Sequence, residues 1–396
     1  MNGTIYMPVG EVCSSISDTY REKKNMVTLI NTSDVLEGRV LNHERVPNSN
    51  LKGQFKKTFQ RDDILYSEIR PQNRRFAYVD FSPIDYIAST KLMVIRAKKD
   101  VVSPKYLYYF LKNSSTVAEL QLLAETRSGT FPQITFSEVS NLTIPVPSLA
   151  VQEVIVQTMQ CLEDKITCNE QINDNLQQQA AAIFKSWFVD CTPFDGVAPE
   201  TWGDVILEEI TTLVSRGIAP KYFDDSEQTV INQKCIRNHM IDLSLARTHT
   251  PKVINEKWLR FGDLLINSTG DGTLGRAAQV WFQPKNLTVD SHVTIVRPAK
   301  ENLIFYIGLW GILHEKEIES LHTGSTGQTE LPRDRVKALG LLLPDNETLD
   351  RFNSLIAPMA AAIVSNQDEN NRLADLRDAL LPKLMSGEID VSEVKI

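Results

Sequence analysis

The sequence predicts an α+β protein built from two similar mixed α/β domains, each followed by a long helix, with the second half of the chain repeating the first. Three observations carry this. Between Ser148 and Asp190, the residues Ile155, Met159, Leu162, Ile166, Asn169, Asn173, Leu176, Ala180, Ile183 and Trp187 follow one another at alternating spacings of four and three. That is the a/d seam of a heptad repeat. The seam returns near the C-terminus as Phe352, Ile356, Met359, Ile363, Asn366, Asn370, Leu373, Arg377, Leu380 and Leu384. The two seams are in register 197 residues apart, Ile166 with Ile363, Asn169 with Asn366 and Leu176 with Leu373, which is almost half of the 396-residue chain.

Each element has its own justification. Between seam positions the first long helix carries Gln, Glu, Asp, Asn and Lys, as its water-facing side requires. About 40 helical residues reach about 60 Å, longer than a compact domain needs, so the helix reads as a strut. Residues 1–147 form the first domain, 148–190 the first strut, 191–344 the second domain and 345–396 the second strut. In the first domain, Met26 to Ile30, Ile64 to Ile69, Phe76 to Phe81 and Leu92 to Ile95 read as strands. Ser103 and Pro104 are an N-cap and first position for a helix through Tyr106, Leu107, Phe110 and Leu111. A further helix is expected from about Thr116 to Thr126. Leu142 to Pro147 is extended. In the second half, Trp202 to Ile210 echoes Gly10 to Ile16, Phe261 to Ile266 echoes Arg61 to Tyr66, and Thr294 to Arg297 echoes Met93 to Arg96. Leu303 to Leu313 matches the aromatic helix of the first half. The loops do not match: Asn31 to Asn50 is unlike Asn232 to Thr250. Two related frames with unrelated loops suggest two sites of one type with different preferences.

Composition excludes several classes. With 42% hydrophobic and 23% charged residues the chain is ordinary for a globular protein. No apolar run reaches the ~18–20 residues of a membrane span, and Met1 to Gly10 lacks the pattern of a secretory signal. The five cysteines, Cys13, Cys161, Cys168, Cys191 and Cys235, form no C-x-x-C pair, which suits a reduced, cytoplasmic setting. The net charge of −8 argues mildly against a nucleic-acid binder. Yet Arg39 to Arg75 is locally basic, so a basic face on an acidic protein remains open, beside the plainer reading of a solvated surface.

Three motifs go further: Ser128-Gly-Thr-Phe-Pro-Gln-Ile134 leading into Leu142-Thr-Ile-Pro-Val-Pro147, Ala182-Ile-Phe-Lys-Ser-Trp-Phe-Val-Asp190 at the end of the first strut, and Leu380-Leu-Pro-Lys-Leu-Met-Ser-Gly-Glu-Ile389. With the domain order they resemble the specificity subunits of Type I restriction–modification systems, over nearly the whole length. The resemblance implies two target-recognition domains, each reading one half of a split duplex DNA sequence. They would be separated by two long helices that pack antiparallel as a coiled coil, in an internal pseudo-two-fold repeat. The helices would fix the spacing and dock two modification (methyltransferase) subunits, with restriction subunits (endonuclease and translocase) joining that core. This chain would then be non-catalytic and hold no cofactor; S-adenosylmethionine, ATP and Mg would belong to the partners.

If the helices are antiparallel, Asn169 would face Asn370 and Asn173 would face Asn366, a polar pairing that fixes register. The alternative is that these amides face water. Pro358, inside the second strut, predicts either a kink or a separate short helix from Thr348 to Ala357. Gly270-Asp-Gly-Thr-Leu-Gly275 spells a G-x-G-x-x-G, but Arg276 to Phe282 reads as a strand, so a β-turn is favoured over a cofactor loop. The first half carries Glu68-Ile-Arg-Pro71 where this turn would begin. The six histidines show no metal-ligand spacing. From charge and loop placement, candidate DNA contacts in the first half are Arg39, Lys56, Lys57, Arg70, Arg74 and Arg75. In the second they are Lys221, Arg237, His239, Arg247, Arg260 and Arg276. The rival reading from another class is a non-catalytic, protein-only scaffold with a coiled-coil arm.

Overall fold

The computed structural model describes residues 4–49, 53–127, 131–270, 272–324 and 329–391. Contacts divide the chain into two compact units: Met1–Thr167 with Asn370–Ile396, and Cys168–Glu369. The boundary falls inside both long helices, Leu149–Phe184 and Asn346–Ser386. The struts are therefore not domains of their own; each contributes half its length to the core of each unit.

In the first unit, an antiparallel sheet runs in the order Cys13–Ile16, Leu92–Ala97, Ile64–Ser67, Phe76–Tyr78. Strand alternation sorts its side chains between two cores. Ile64, Tyr66, Met93 and Ile95 face the helices, while Leu65, Leu92 and Val94 join Ile30, Ala77 and Ala88 on the other side. That second core lies under a smaller sheet, ordered Arg45–Pro47, Met26–Ile30, Tyr86–Ser89, Phe55–Lys57, whose two middle strands are parallel. Helix Pro104–Lys112 buries Tyr106 through Leu111 in succession. Its Ser103 makes no side-chain cap. Gln152, buried in the long helix, holds the N-cap residue itself: its Oε1 accepts the Ser103 backbone N–H at 2.8 Å, and its Nε2 donates to the Val101 and Pro147 carbonyls.

The second unit has the same plan. Its main sheet runs Thr211–Arg216, Val293–Pro298, Leu264–Asn267, Ala277–Gln279. Its smaller sheet runs Arg247–Thr248, Thr229–Ile231, Leu287–Val289, the last two again parallel. A short hairpin occurs in each unit, Val35–Leu36 with Arg39–Val40 and Ile236–Arg237 with Met240–Ile241. Apart from Phe55–Lys57, which has no counterpart among the described strands of the second unit's smaller sheet, the same strand order and sense in both halves is the structural form of the sequence repeat.

An ion pair recurs with the repeat. Arg96 Nε and Nη2 donate to Asp63 Oδ1 and Oδ2, both at 2.7 Å. Arg297 does the same to Asp263 at 2.8 and 2.7 Å. Asp63 also accepts the Gln60 backbone N–H and Asp263 that of Arg260, each at 2.8 Å.

Within each unit the halves of the long helices share a core. Ile155 and Met159 join Leu381, Leu384 and Met385 in the first; Ala180 and Phe184 join Phe352, Ile356 and Ala360 in the second. In the second unit the pairing is antiparallel: Asn173 meets Asn366, and further along Phe184 meets Phe352 at 6.1 Å between ring centroids. Asn366 Nδ2 donates to Asn173 Oδ1 at 2.8 Å. Asn169 Nδ2 donates to Glu369 Oε2 at 2.7 Å. Asn370 belongs to the first unit, so the expected Asn169–Asn370 contact falls between the units.

The second helix runs without interruption through Pro358, so Thr348 to Ala357 is not a separate helix. The reason is the opposite face: Phe352, Ile356, Ala360 and Ile363 are at most 2% exposed. Burying such side chains yields roughly 1.5–3 kcal/mol for each large one, against about 3 kcal/mol for an interior proline. Pro358 and Ser354, whose carbonyl loses its donor, both lie on the exposed side.

Two stability predictions follow from these contacts. Asp263→Asn strips Arg297, 7% exposed, of its counter-charge, and a loss of about 3–5 kcal/mol is expected in denaturant unfolding of the full chain. Asp63→Asn costs less, because the Arg96 side chain keeps 30% of its surface exposed; equal losses would refute the ranking. Asn366→Leu leaves Asn173 with an unmet acceptor and loses roughly 1–3 kcal/mol. The double variant Asn173→Leu/Asn366→Leu regains most of that, and a double-mutant cycle with no coupling would contradict the pairing.

Candidate nucleic-acid interface

The structure sorts the candidate cations by what their donors already hold. Lys56 and Lys57 are neighbours on strand Phe55–Lys57 and point to opposite faces. Lys57 Nζ turns inward and donates to the Thr90 and Leu92 carbonyls at 3.1 and 2.8 Å. Burial holds its ammonium below the usual lysine range. Lys56 is exposed, with no side-chain hydrogen bond or ion pair among the described residues. Arg75 Nη1 donates to the Ser33 and Val35 carbonyls, pinning the approach to the first hairpin. Arg39, on that hairpin, reaches Thr167 Oγ1 at 3.5 Å.

Arg70 and Arg74 bracket a short turn, Pro71–Asn73, and both have left-handed backbones, with φ of 45° and 51°. Such positions cost of order 1 kcal/mol or more outside glycine. Arg74 Nη2 donates to Ser114 Oγ at 2.8 Å, which anchors that end. Arg70 is exposed, its guanidinium 6.0 Å from the Phe131 ring centroid. Phe131 to Gln133 belong to the first sequence motif, which Gly324-Ser-Thr-Gly-Gln328 repeats in the second half; Ser128 to Thr130 and Ser325 to Gln328 lie outside the described residues.

In the second unit, His239 sits on the hairpin with φ of 60° and its Nδ1 3.3 Å from Glu315 Oε1. The Glu315 carboxylate raises the imidazole above its ordinary range. His239 thus ties the hairpin to helix Glu315–Ser320. Lys221, Arg237, Arg260 and Arg276 make no side-chain hydrogen bond or ion pair among the described residues. Arg260 is placed by its backbone N–H on Asp263, and Arg276 follows the glycine turn. That turn has φ of 100° at Gly270, 67° at Gly272 and 85° at Gly275 and leads into strand Ala277–Gln279. With a strand where a phosphate-binding helix would have to begin, the G-x-G-x-x-G is a turn. Asp271 lies outside the described residues.

Arg247 differs from the others. Its guanidinium carbon lies 3.6 Å from the centroid of the Tyr222 ring, flat on an exposed aromatic. It makes no hydrogen bond or ion pair among the described residues. Tyr222 is a side chain beside a candidate cation that charge-based reading of the sequence passed over. The available signal was an adjacent aromatic pair, Tyr222 and Phe223, in an otherwise polar loop.

Thus the first unit presents Lys56 and Arg70, and the second Lys221, Arg237, Arg247, Arg260 and Arg276, as exposed or half-exposed cations. Lys57, Arg74, Arg75 and His239 serve internal contacts. No helix among the described residues is long and apolar enough to cross a membrane.

Comparison with known proteins agrees with this organisation. Residues 6–178 match the family model described as the Type I restriction modification DNA specificity domain. The Type I restriction enzyme HindI specificity subunit of Haemophilus influenzae is 29% identical, over 92% of this chain and 94% of that protein. The MjaIX specificity subunit of Methanocaldococcus jannaschii is 27% identical, over 79% of this chain and 77% of that one. The crystal structure of a Type I restriction–modification S subunit from M. genitalium shares the fold, with a TM-score of 0.55 at 14% identity, covering 97% of this chain and 96% of that chain. With relatives alignable along most of its length and a twice-repeated frame with paired helices, the chain is similar to the specificity subunits of Type I restriction–modification systems.

Proposed function

We propose that this chain is the sequence-specific DNA-recognition subunit of a Type I restriction–modification complex. Each unit reads one half of a bipartite target. The paired helices set the spacer between the halves and dock two modification subunits, and restriction subunits complete the assembly. The chain itself catalyses nothing; S-adenosylmethionine, ATP and Mg act in its partners, in the cytoplasm. The observation that carries the reading is the pair of frames with one strand order and different exposed groups on their loops. One frame used twice suits two readings of the same kind of ligand. Different loops suit two different half-sites.

The helix lengths support the ruler role. At 1.5 Å per residue the 36-residue first helix is roughly 54 Å long, more than one ~34 Å turn of duplex. Removing one heptad from the first helix together with its counterpart in the second is expected to shorten the spacer and leave both half-sites as they were. Selection of bound duplexes by the chain assembled with modification subunits measures both, and an unchanged spacer defeats the ruler. In the same assembly, duplex binding is expected to weaken steeply with salt. Lys56→Ala should lower affinity and shorten the salt slope, while Lys57→Met should lower stability and leave the slope alone. Binding that ignores salt would favour the protein-only scaffold.

A further inference from the structure

We infer that Arg247, held flat on Tyr222, reads the edge of a guanine in the half-site assigned to the second unit. The inference rests on the DNA-recognition reading and adds a residue, a base and a chemistry to it.

The pair is built in, not incidental. Arg247 lies on edge strand Arg247–Thr248 of the smaller sheet, and Tyr222 lies on the segment alongside. Two backbone hydrogen bonds, Phe223 N–H to Thr248 O at 3.2 Å and Thr250 N–H to Lys221 O at 2.8 Å, hold the segments together as an antiparallel bridge between Tyr222 and His249. Beneath, His249 is fully buried. Stacking fixes the plane of the guanidinium but uses none of its N–H groups. A planar fork with all its donors available is what bidentate contact with guanine O6 and N7 requires.

The surroundings favour a base edge over a phosphate. Phosphate contacts gather where cations cluster. Here exposed Lys221 precedes Tyr222, but exposed Phe223, Asp224 and Asp225 follow it, and Leu243 and Leu245, just before Arg247 in the chain, are 46% and 39% exposed. Carboxylates repel the backbone yet accept from the amino groups of bases, and apolar side chains suit the thymine methyl. The first unit differs on the corresponding strand, Arg45–Pro47. There Arg45 Nη2 donates to the Met26 carbonyl at 3.0 Å and lies 3.4 Å from Asp85. Its guanidinium is occupied, so the two units do not read alike at this place.

The test is selection from a random duplex pool by the full chain assembled with its modification subunits. With Arg247→Ala, preference for guanine at one position of one half-site is expected to fall on the order of ten- to a hundredfold. The other half-site, unchanged, certifies that the assembly is intact. Arg247→Lys keeps the charge but loses the discrimination; Tyr222→Leu weakens preference at the same position; Tyr222→Phe, which keeps the ring, preserves it. Base preferences unaltered by Arg247→Ala overturn the inference. So does an equal loss on all sequences with a shallower salt dependence, the mark of a phosphate contact. Either result leaves DNA recognition standing, whereas a wild-type assembly that enriches no sequence at all defeats that reading and this inference together.

Discussion

A carboxylate and a guanidinium, joined by two hydrogen bonds, hold each unit's main sheet to the turn that enters it. Asp63 and Asp263 end turns immediately before the strands Ile64–Ser67 and Leu264–Asn267, and Arg96 and Arg297 stand on the central strands that pair with them. Removing such groups from water costs several kcal/mol per ion, so the pair persists only where every donor and acceptor is met. The fold meets that condition. Each aspartate also takes a turn N–H, and in the second unit Arg297 Nη1 and Nη2 donate to the Glu256 and Trp258 carbonyls. One ion pair thereby fixes a turn, a central strand and the preceding loop against one another. It adds modest net stability and excludes other arrangements, which is what a scaffold for variable loops needs.

The helices depend on a second balance, apolar at the ends and polar in the middle. Apolar seam positions away from the middle are buried: Ile155 and Met159 with Leu384 in one unit, Phe184 with Phe352 and Ile356 in the other. Toward the middle, Leu162, Ile166, Leu176 and Leu373 are only half-buried, and the seam turns to asparagine. An apolar seam of this length would tolerate a slip by one heptad. A slip would separate Asn366 from Asn173 and strand buried amides, so polar residues at two seam positions buy register. Each short hairpin also meets long-helix residues of its own unit. Gln177 and Gln367 direct their amides at Met240 of the second hairpin, at 2.7 and 3.5 Å from its sulfur, and Arg39 of the first approaches Thr167. Loop-bearing elements are thus referenced to the helix pair and not only to their own sheet.

The long elements were legible because their signal is summed over many residues. Ten seam positions in register define a helix whatever any one of them does, and Met26–Ile30 is the strand its apolar run suggests. Most strands of the smaller sheets and the hairpins were not legible. Strands of two or three residues, such as Arg39–Val40 and Arg247–Thr248, carry too little alternation to stand out. Nor does charge reveal side. Lys56 and Lys57 look alike in sequence, and only the pleat decides which one reaches carbonyls and which reaches solvent. Ser103 reads as a helix cap, but its side chain makes no cap hydrogen bond, and its own backbone N–H is held by Gln152, 49 positions away. Pro358 reads as a break because propensity is local, while the burial that overrides it lies one turn to either side.

The two units show which parts of a duplicated fold are free to change. The framing contacts match in kind: an Asp–Arg pair in each, and a buried tyrosine hydroxyl donating to a carbonyl of the strand before the long helix, Tyr106 to Pro145 and Tyr306 to Leu342. The exposed groups do not match. On corresponding edge strands Arg45 is drawn to Asp85, whereas Arg247 lies on an aromatic ring. Beyond the corresponding inner strands, the first unit has a turn bounded by two left-handed arginines and the second a turn built on glycines. Both turns reverse the chain between the same two strands of the main sheet, so folding alone does not require the difference. A frame closed by buried polar contacts tolerates either solution, although each turn sends a residue inward, Pro71 in the first unit and Leu274 in the second. What selects between them must act from outside the fold, on the surface the turns and edge strands present.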